Sequence, residues 1–181
     1  MKRIILIGYM GVGKTTIGRC LAKRFNLQFY DLDDYIQSRY HASIPDIFAK
    51  EGEHGFRVIE QRMLHEVCEF ENVLISCGGG TPCFFDNINY MNRQGITVYL
   101  KSCPEILYKH LVMCKTPRPL LAGKSKEELL DFIKRNLTER EPYYTQARCI
   151  YSVPLLEDKT KIQQAVDEVY NLIENTINKV E

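Results

Sequence analysis

Gly8-Tyr9-Met10-Gly11-Val12-Gly13-Lys14-Thr15 is the stretch on which the reading of this 181-residue chain turns. It follows the apolar run Ile4-Ile5-Leu6-Ile7 and leads into a helical pattern that continues through Phe25. A strand, a glycine-rich turn and a helix start, in that order, match the phosphate-binding loop G-x-x-x-x-G-K-(S/T) in spacing and in context. Gly8, Gly11 and Gly13 can take backbone angles closed to other residues, so successive N–H groups can turn inward around an anion. The helix beginning near Gly13 adds the positive end of its dipole at the same point. The pattern therefore predicts a nucleoside triphosphate site contacted by Gly11, Val12, Gly13, Lys14, Thr15 and Thr16. Lys14 is expected to reach the β- and γ-phosphates, and the Thr15 hydroxyl to be a ligand of Mg²⁺. An ordinary glycine turn is the alternative, and the flanking strand and helix weigh against it.

Working outward, the length fits one domain over 1–181, and 45% hydrophobic residues are enough for a sizeable core. Lys plus Arg number 24 against 23 Asp plus Glu, a net charge of +1. That balance offers no basic field for nucleic acid and no acidic excess for disorder, and it suits a protein acting on small molecules. Seven cysteines are odd in number, scattered and never in a C-x-x-C spacing, which encourages neither a disulfide framework nor a zinc site. Residues 1–3 lead straight into the first strand, and no apolar run approaches membrane-spanning length. We expect a cytoplasmic protein, a monomer, with no nucleic-acid or membrane partner. His41, His54, His65 and His110 lack metal-like spacing and receive no role, a solvated or capping position being expected for each.

Along the chain, the first helix carries Ile17, Leu21, Ala22 and Phe25 on one face and stops at Asn26 before a short strand, 28–30. Asp31-Leu32-Asp33-Asp34 then places acidic residues where a strand ends, the position at which ligands collect in open α/β sheets. Asp33 or Asp34 could equally be the N-cap of the next helix. Ser43 reads as an N-cap with Pro45 just inside its helix, which Gly52 ends, and a second helix runs from Glu53 to about Glu71. Arg57 sits beside its apolar stripe, where a solvent or ion-pair contact is the plain alternative to a functional one. Val73–Ser76 is a short buried strand. It runs into Cys77 and Gly78-Gly79-Gly80, a run that suggests close approach of a ligand to the backbone. A helix at 86–93, a strand at 96–100 and a helix from Pro104 to about Met113 follow. The segment 115–124, rich in Pro and basic residues, predicts a mobile loop. Ser125 caps a long helix to about Arg140, and a strand near 148–153 and a helix near 160–177 complete the chain. Strands alternating with helices predict an α/β fold of three layers, with a central parallel sheet of about five strands.

The loop alone does not choose among GTPases, motor or transport ATPases and small-molecule kinases. A guanine-reading N-K-x-D segment is absent, and Tyr30-Asp31-Leu32-Asp33 stands where a nucleoside monophosphate kinase would carry T-G-D-x-x-R. The ordered set of Gly8 to Thr15, Asp31-x-Asp33, Ser43 to Phe48, Gly52-Glu53-x-x-Phe56-Arg57-x-x-Glu60, Gly78-Gly79-Gly80, Arg118-Pro119-Leu120-Leu121 and Arg140-x-Pro142-x-Tyr144-x-x-Ala147 resembles the shikimate kinases. It covers residues 4 to about 150. Val12 and Thr15 stand where many members have Ser, and Cys77 where Thr is usual.

The resemblance implies the three-layer fold of the nucleoside monophosphate kinases, with acceptor-binding helices at about 32–60 and a lid at about 115–124. It implies transfer of the γ-phosphoryl group of MgATP to the 3-hydroxyl of shikimate, with ATP and Mg²⁺ required. By the same likeness, Asp31 lies near the water shell of the metal and Asp33 meets the acceptor hydroxyls as the candidate base. Arg57 and Arg140 match the pair that grips the substrate carboxylate, which suits the planar guanidinium fork. Gly78, Gly79 and Gly80 would lie against the substrate ring, with Met10, Phe48 and Phe56 as apolar walls. Arg118 matches the lid arginine that closes on the nucleotide phosphates and takes part in catalysis with Lys14 and Asp33. A kinase for another polyol acid such as gluconate, and a nucleotide-binding regulator without transfer activity, are the rival readings.

Overall fold

In a computed structural model, residues 2–113 and 125–178 are described. The expected lid at 115–124, with Arg118, lies outside the described residues. Five strands form one sheet: β1 (Arg3–Ile7), β2 (Gln28–Asp31), β3 (Val73–Ser76), β4 (Ile96–Lys101) and β5 (Cys149–Ser152). Their order is β2-β3-β1-β4-β5 and every pairing is parallel. The order reverses at β1, so the crevice beyond its carboxyl end is a topological switch point, and the glycine-rich loop hangs there.

The sheet is buried on both faces, which explains its near-continuous apolar strands. One core packs α1 (Lys14–Phe25), α5 (Pro104–Met113), α6 (Lys126–Tyr144) and α7 (Lys159–Ile177) against Ile4, Leu6, Val98 and Leu100. The other packs α2 (Leu32–Tyr40), α3 (Ile44–Cys68) and α4 (Asn87–Gln94) against Ile5, Ile7, Ile75 and Tyr99. Alternate residues of β1 thus serve opposite layers, as the two-residue period of a strand requires.

Helix ends follow local chemistry with two corrections. Asp31, not Asp33 or Asp34, is the N-cap of α2, its carboxylate accepting from the Asp33 N–H at 3.2 Å. The helix therefore starts at Leu32, earlier than the sequence pattern suggested. Gly52 ends the first of the two expected helices: at φ 69° and ψ 179° it is non-helical and kinks α3 between a 44–51 part and a 53–68 part. The helix expected to stop at about Arg140 continues through Pro142, so that α6 ends at Tyr144. Ser43 and Ser125 cap as expected, the latter in a reciprocal capping box with Glu128. A 3₁₀ turn at Thr81–Cys83, which the sequence pattern did not indicate, follows the triple glycine.

Candidate active site

The phosphate loop owes its shape to three positive φ values, 141° at Gly8, 79° at Gly11 and 101° at Gly13. At Gly8 a Cβ would also lie 2.5 Å from the Leu100 carbonyl oxygen, so the loop starts in a slot that no side chain fits. Gly13 is the N-terminal flank of α1 and offers no side-chain cap, which leaves the first-turn N–H groups for a ligand. Lys14, a residue only 9% exposed, donates its ammonium hydrogens to the Gly8 and Tyr9 carbonyls at 2.7 and 3.0 Å. The Val12 side chain is fully buried in the core, so only its backbone faces the loop.

A cavity of about 580 Å³ opens beside this loop. Gly11, Gly13, Lys14, Thr15 and Thr16 line it together with Asp31, Asp33, Gly78 and Gly79. The Thr15 hydroxyl donates to the Asp31 carboxylate at 2.9 Å, joining the start of α1 to the end of β2. Among the described residues no cluster of three or more His, Cys, Asp or Glu could hold a metal alone. The donor set does fit Mg²⁺, which is held through one or two protein oxygens, substrate phosphates and retained waters.

Asp33 is the half-buried carboxylate next to this pair. Removal from water raises its pKa from the usual carboxylate range to about 6, helped by the negative charges of Asp31 and Glu60 and opposed by Lys14. Asp34, one residue on, is exposed in the first turn of α2.

None of Gly78-Gly79-Gly80, the expected acceptor side, has a positive φ. Their common feature is the absence of side chains. A Cβ at Gly78 would lie 3.2 Å from Asp33 Oδ1, at Gly79 3.3 Å from Arg140 Nη1, and at Gly80 2.9 Å from Arg57 Nη1. The run thus brings Asp33, Arg57 and Arg140, from α2, α3 and α6, to one short piece of backbone. Gly80, Arg57 and Arg140 do not line that cavity; Gly79, which does, stands next to Arg140.

Sequence reasoning quoted Glu60 and Tyr144 without giving them work. Glu60, 2% exposed, accepts from Arg57 at 3.1 Å and from the Thr81 hydroxyl at 2.5 Å, and burial raises its pKa. Arg57 also pairs with Glu53 at 3.4 Å and lies over the Phe84 ring at 4.0 Å. An ion pair is therefore part of its role in the fold, and the same partners fix its fork beside Gly80. The i,i+3 spacing of Arg57 and Glu60 carried that signal. Tyr144 donates its hydroxyl to the Gly79 carbonyl at 2.5 Å. Phe48 and Phe56 stack at 4.2 Å next to the Arg57 guanidinium, and Met10 lines the cavity. His110, given no role from sequence, sits on the phosphate loop, its Nδ1 3.0 Å from the Gly11 carbonyl oxygen.

A family model described as shikimate kinase matches residues 10–174. The chain belongs to the shikimate kinase family. A shikimate kinase of Phocaeicola vulgatus is 52% identical over 93% of this chain and 97% of its own length. The 1.7 Å crystal structure of the shikimate kinase of Bacteroides thetaiotaomicron superposes with a TM-score of 0.93, at 49% identity over 96% of this chain and 98% of that one. The shikimate kinase of Acinetobacter baumannii in complex with shikimate gives a TM-score of 0.81 at 32% identity, covering 97% of this chain and 94% of that one. With these likenesses the three-layer fold of this family member stands as expected from its sequence.

Proposed function

We propose that this chain transfers the γ-phosphoryl group of MgATP to the 3-hydroxyl of shikimate, giving shikimate 3-phosphate and ADP, a step toward chorismate and the aromatic amino acids. The observation that carries this reading is the meeting of two arginines and one carboxylate of raised pKa on the triple glycine, beside a phosphate-loop cavity. Arg57 and Arg140 would hold the substrate carboxylate with charge-assisted hydrogen bonds, and the bare Gly78–Gly80 backbone would let the ring lie close. Asp33 would then take the proton of the 3-hydroxyl as its oxygen attacks the γ-phosphorus, while the bond to the ADP oxygen breaks and the electron pair leaves with ADP. A base titrating near 6 is ionised at neutral pH yet still basic enough to help.

Lys14 would neutralise the transferring group, and the inward N–H groups of residues 11–16 would hold the phosphates. Thr15 directly and Asp31 through water would hold Mg²⁺, which supplies charge neutralisation at the phosphate oxygens. Arg118, outside the described residues, is assigned to the phosphates on its motif alone. We read the chain as a single-domain monomer with shikimate and ATP as its partners. The six described cysteines are all unpaired, in keeping with a reducing cytoplasm. Among the described residues no helix is long and apolar enough to cross a membrane.

A coupled ADP-release assay tests the reading: ADP should form from MgATP only when shikimate is added. Equal turnover with gluconate would point to the rival kinase, and none with any acceptor to a regulator.

A further inference from the structure

His110 makes hydrogen bonds to two segments far from it in sequence. Its Nδ1 lies 3.0 Å from the carbonyl oxygen of Gly11 in the phosphate loop. Its Nε2 lies 2.8 Å from the backbone N–H of Leu156, in the segment after β5. An amide N–H can only donate, so Nε2 must be an unprotonated acceptor and Nδ1 must carry the hydrogen that goes to Gly11. One neutral tautomer satisfies both contacts. Burial, which also lowers the pKa of this imidazole, agrees with the neutral form.

What is held matters more than how many bonds hold it. The peptide between Gly11 and Val12 is fixed at both ends, its carbonyl by His110 and its N–H by the Tyr9 carbonyl at 3.3 Å. Gly11 and Gly13, at φ 79° and 101°, give the loop the freedom its shape needs, and the same freedom would let this peptide rotate away from the phosphate-binding form. The other contact seats Leu156, whose Cδ1 lies 2.7 Å from where a Gly13 Cβ would be. Leu111, next to His110 on α5, closes similarly on Gly11. The His110 ring, Gly11, Gly13 and Leu156 all line the cavity beside the phosphate loop.

We propose that His110 is a positioning residue for the nucleotide: as the Nδ1–H tautomer it ties the phosphate loop to the Leu156 segment, setting the two walls of the nucleotide site in their binding arrangement before ATP arrives. The inference rests on the ATP-dependent reading above, because it assigns that cavity to a nucleotide. A wall already in place loses less freedom when ligand binds, which raises affinity without new contacts to the ligand.

The test measures MgADP binding by calorimetry, which needs no acceptor, beside steady-state kinetics on the full chain. For His110→Ala we expect MgADP binding about tenfold weaker, equal to about 1.4 kcal/mol. The KM for ATP should rise by a similar factor, with the KM for shikimate within twofold of wild type and the melting temperature within about 4 °C. His110→Asn, which keeps a donor near the Nδ1 position, should recover part of the loss. In the wild type, imidazole ¹⁵N spectra should show a protonated Nδ1 and an unprotonated Nε2 on His110. An Nε2–H tautomer, unchanged MgADP affinity in His110→Ala, or equal rises in both KM values would each overturn the proposal. Wild-type protein that binds MgADP but forms no ADP with shikimate would instead defeat the kinase reading and leave the brace standing.

Discussion

Gly8, Gly11 and Gly13 after β1 and Gly78, Gly79 and Gly80 after β3 form two glycine clusters beyond the carboxyl ends of neighbouring strands, required for opposite reasons. The first cluster has φ values of 141°, 79° and 101°, so its residues are there for backbone shape. The second has no positive φ and is there for empty space, each missing Cβ leaving room for a polar side chain from a distant element. On the proposed function, nucleotide phosphates would be met by a contiguous piece of backbone, and the acceptor by side chains converging from three helices. The phosphate half should consequently be sensitive to changes that alter its backbone angles and to loss of Lys14 or Thr15, and the acceptor half should be sensitive wherever one convergent group is removed.

The largest expected effect separates the carboxylates of the acceptor half. Asp33→Asn keeps shape and hydrogen bonding but is not a base, so turnover should fall roughly 10²–10⁴-fold. Asp34→Asn, exposed and outside the cavity, should stay near wild type. Parallel kcat measurements check this, and equal activities would remove the base from the mechanism.

On the phosphate side, Lys14→Met removes a cation from the transferring group. Turnover should drop by about 10²–10³, the size seen when one preorganised donor is lost. Near-normal activity would mean that the loop backbone alone suffices, making the contrast between the halves sharper than proposed. Circular dichroism should show the fold intact.

Arg57→Ala and Arg140→Ala should raise the KM for shikimate by roughly 10- to 100-fold, the worth of charge-assisted hydrogen bonds, with the KM for ATP little changed. Arg57→Ala should also lower stability, because Glu60 would keep its burial and lose its cation. Melting curves distinguish the two: if Arg57→Ala and Arg140→Ala destabilise equally, the Arg57–Glu60 pair has no special structural part.

Alanine substitution within the clusters tests the comparison itself. At Gly80 a Cβ would meet the flexible end of Arg57 at 2.9 Å, so Gly80→Ala should disturb shikimate binding several-fold and stability little. At Gly13 the backbone itself is strained by a side chain, at about 1–2 kcal/mol, so Gly13→Ala should weaken nucleotide binding and lower the melting temperature. Exchange of these two phenotypes would refute the distinction.

The smallest effect is a pH dependence of stability. Asp33 titrates near 6 in the folded chain and near 4 when unfolded, so between those values the folded state binds the extra proton. Stability should therefore fall as pH rises from about 4 to about 6. Asp33→Asn should be more stable than wild type above pH 6, and the difference should vanish by about pH 4. Thermal melts across that range give the answer.

The phosphate loop could be read from the sequence because its function is local. Eight consecutive residues fix a turn by backbone angles and end in a helix start, and no distant contact is needed to recognise them. The layered α/β fold was legible for a similar reason, since short apolar runs and period-3.6 apolar patterns alternate along the chain. The cap of α2 was not: Asp31, Asp33 and Asp34 are all good caps by residue type, and only the chain path leaving β2 puts the Asp31 carboxylate over the Asp33 N–H. The acceptor pocket is the extreme case. Residues 57, 78–80 and 140 read as an ion-pair partner, a flexible turn and a helix end when taken singly, and only family resemblance joined them in advance. The i,i+3 spacing of Arg57 and Glu60 signalled a pair but not its burial, and nothing local distinguishes His110 from a solvated histidine. Packing made them what they are, by burying Glu60 against Thr81 and Arg57 and by bringing α5 and the Leu156 segment onto the phosphate loop. Backbone conformation depends on residues next to one another in the chain, whereas burial and side-chain partnership depend on which surfaces the fold presses together.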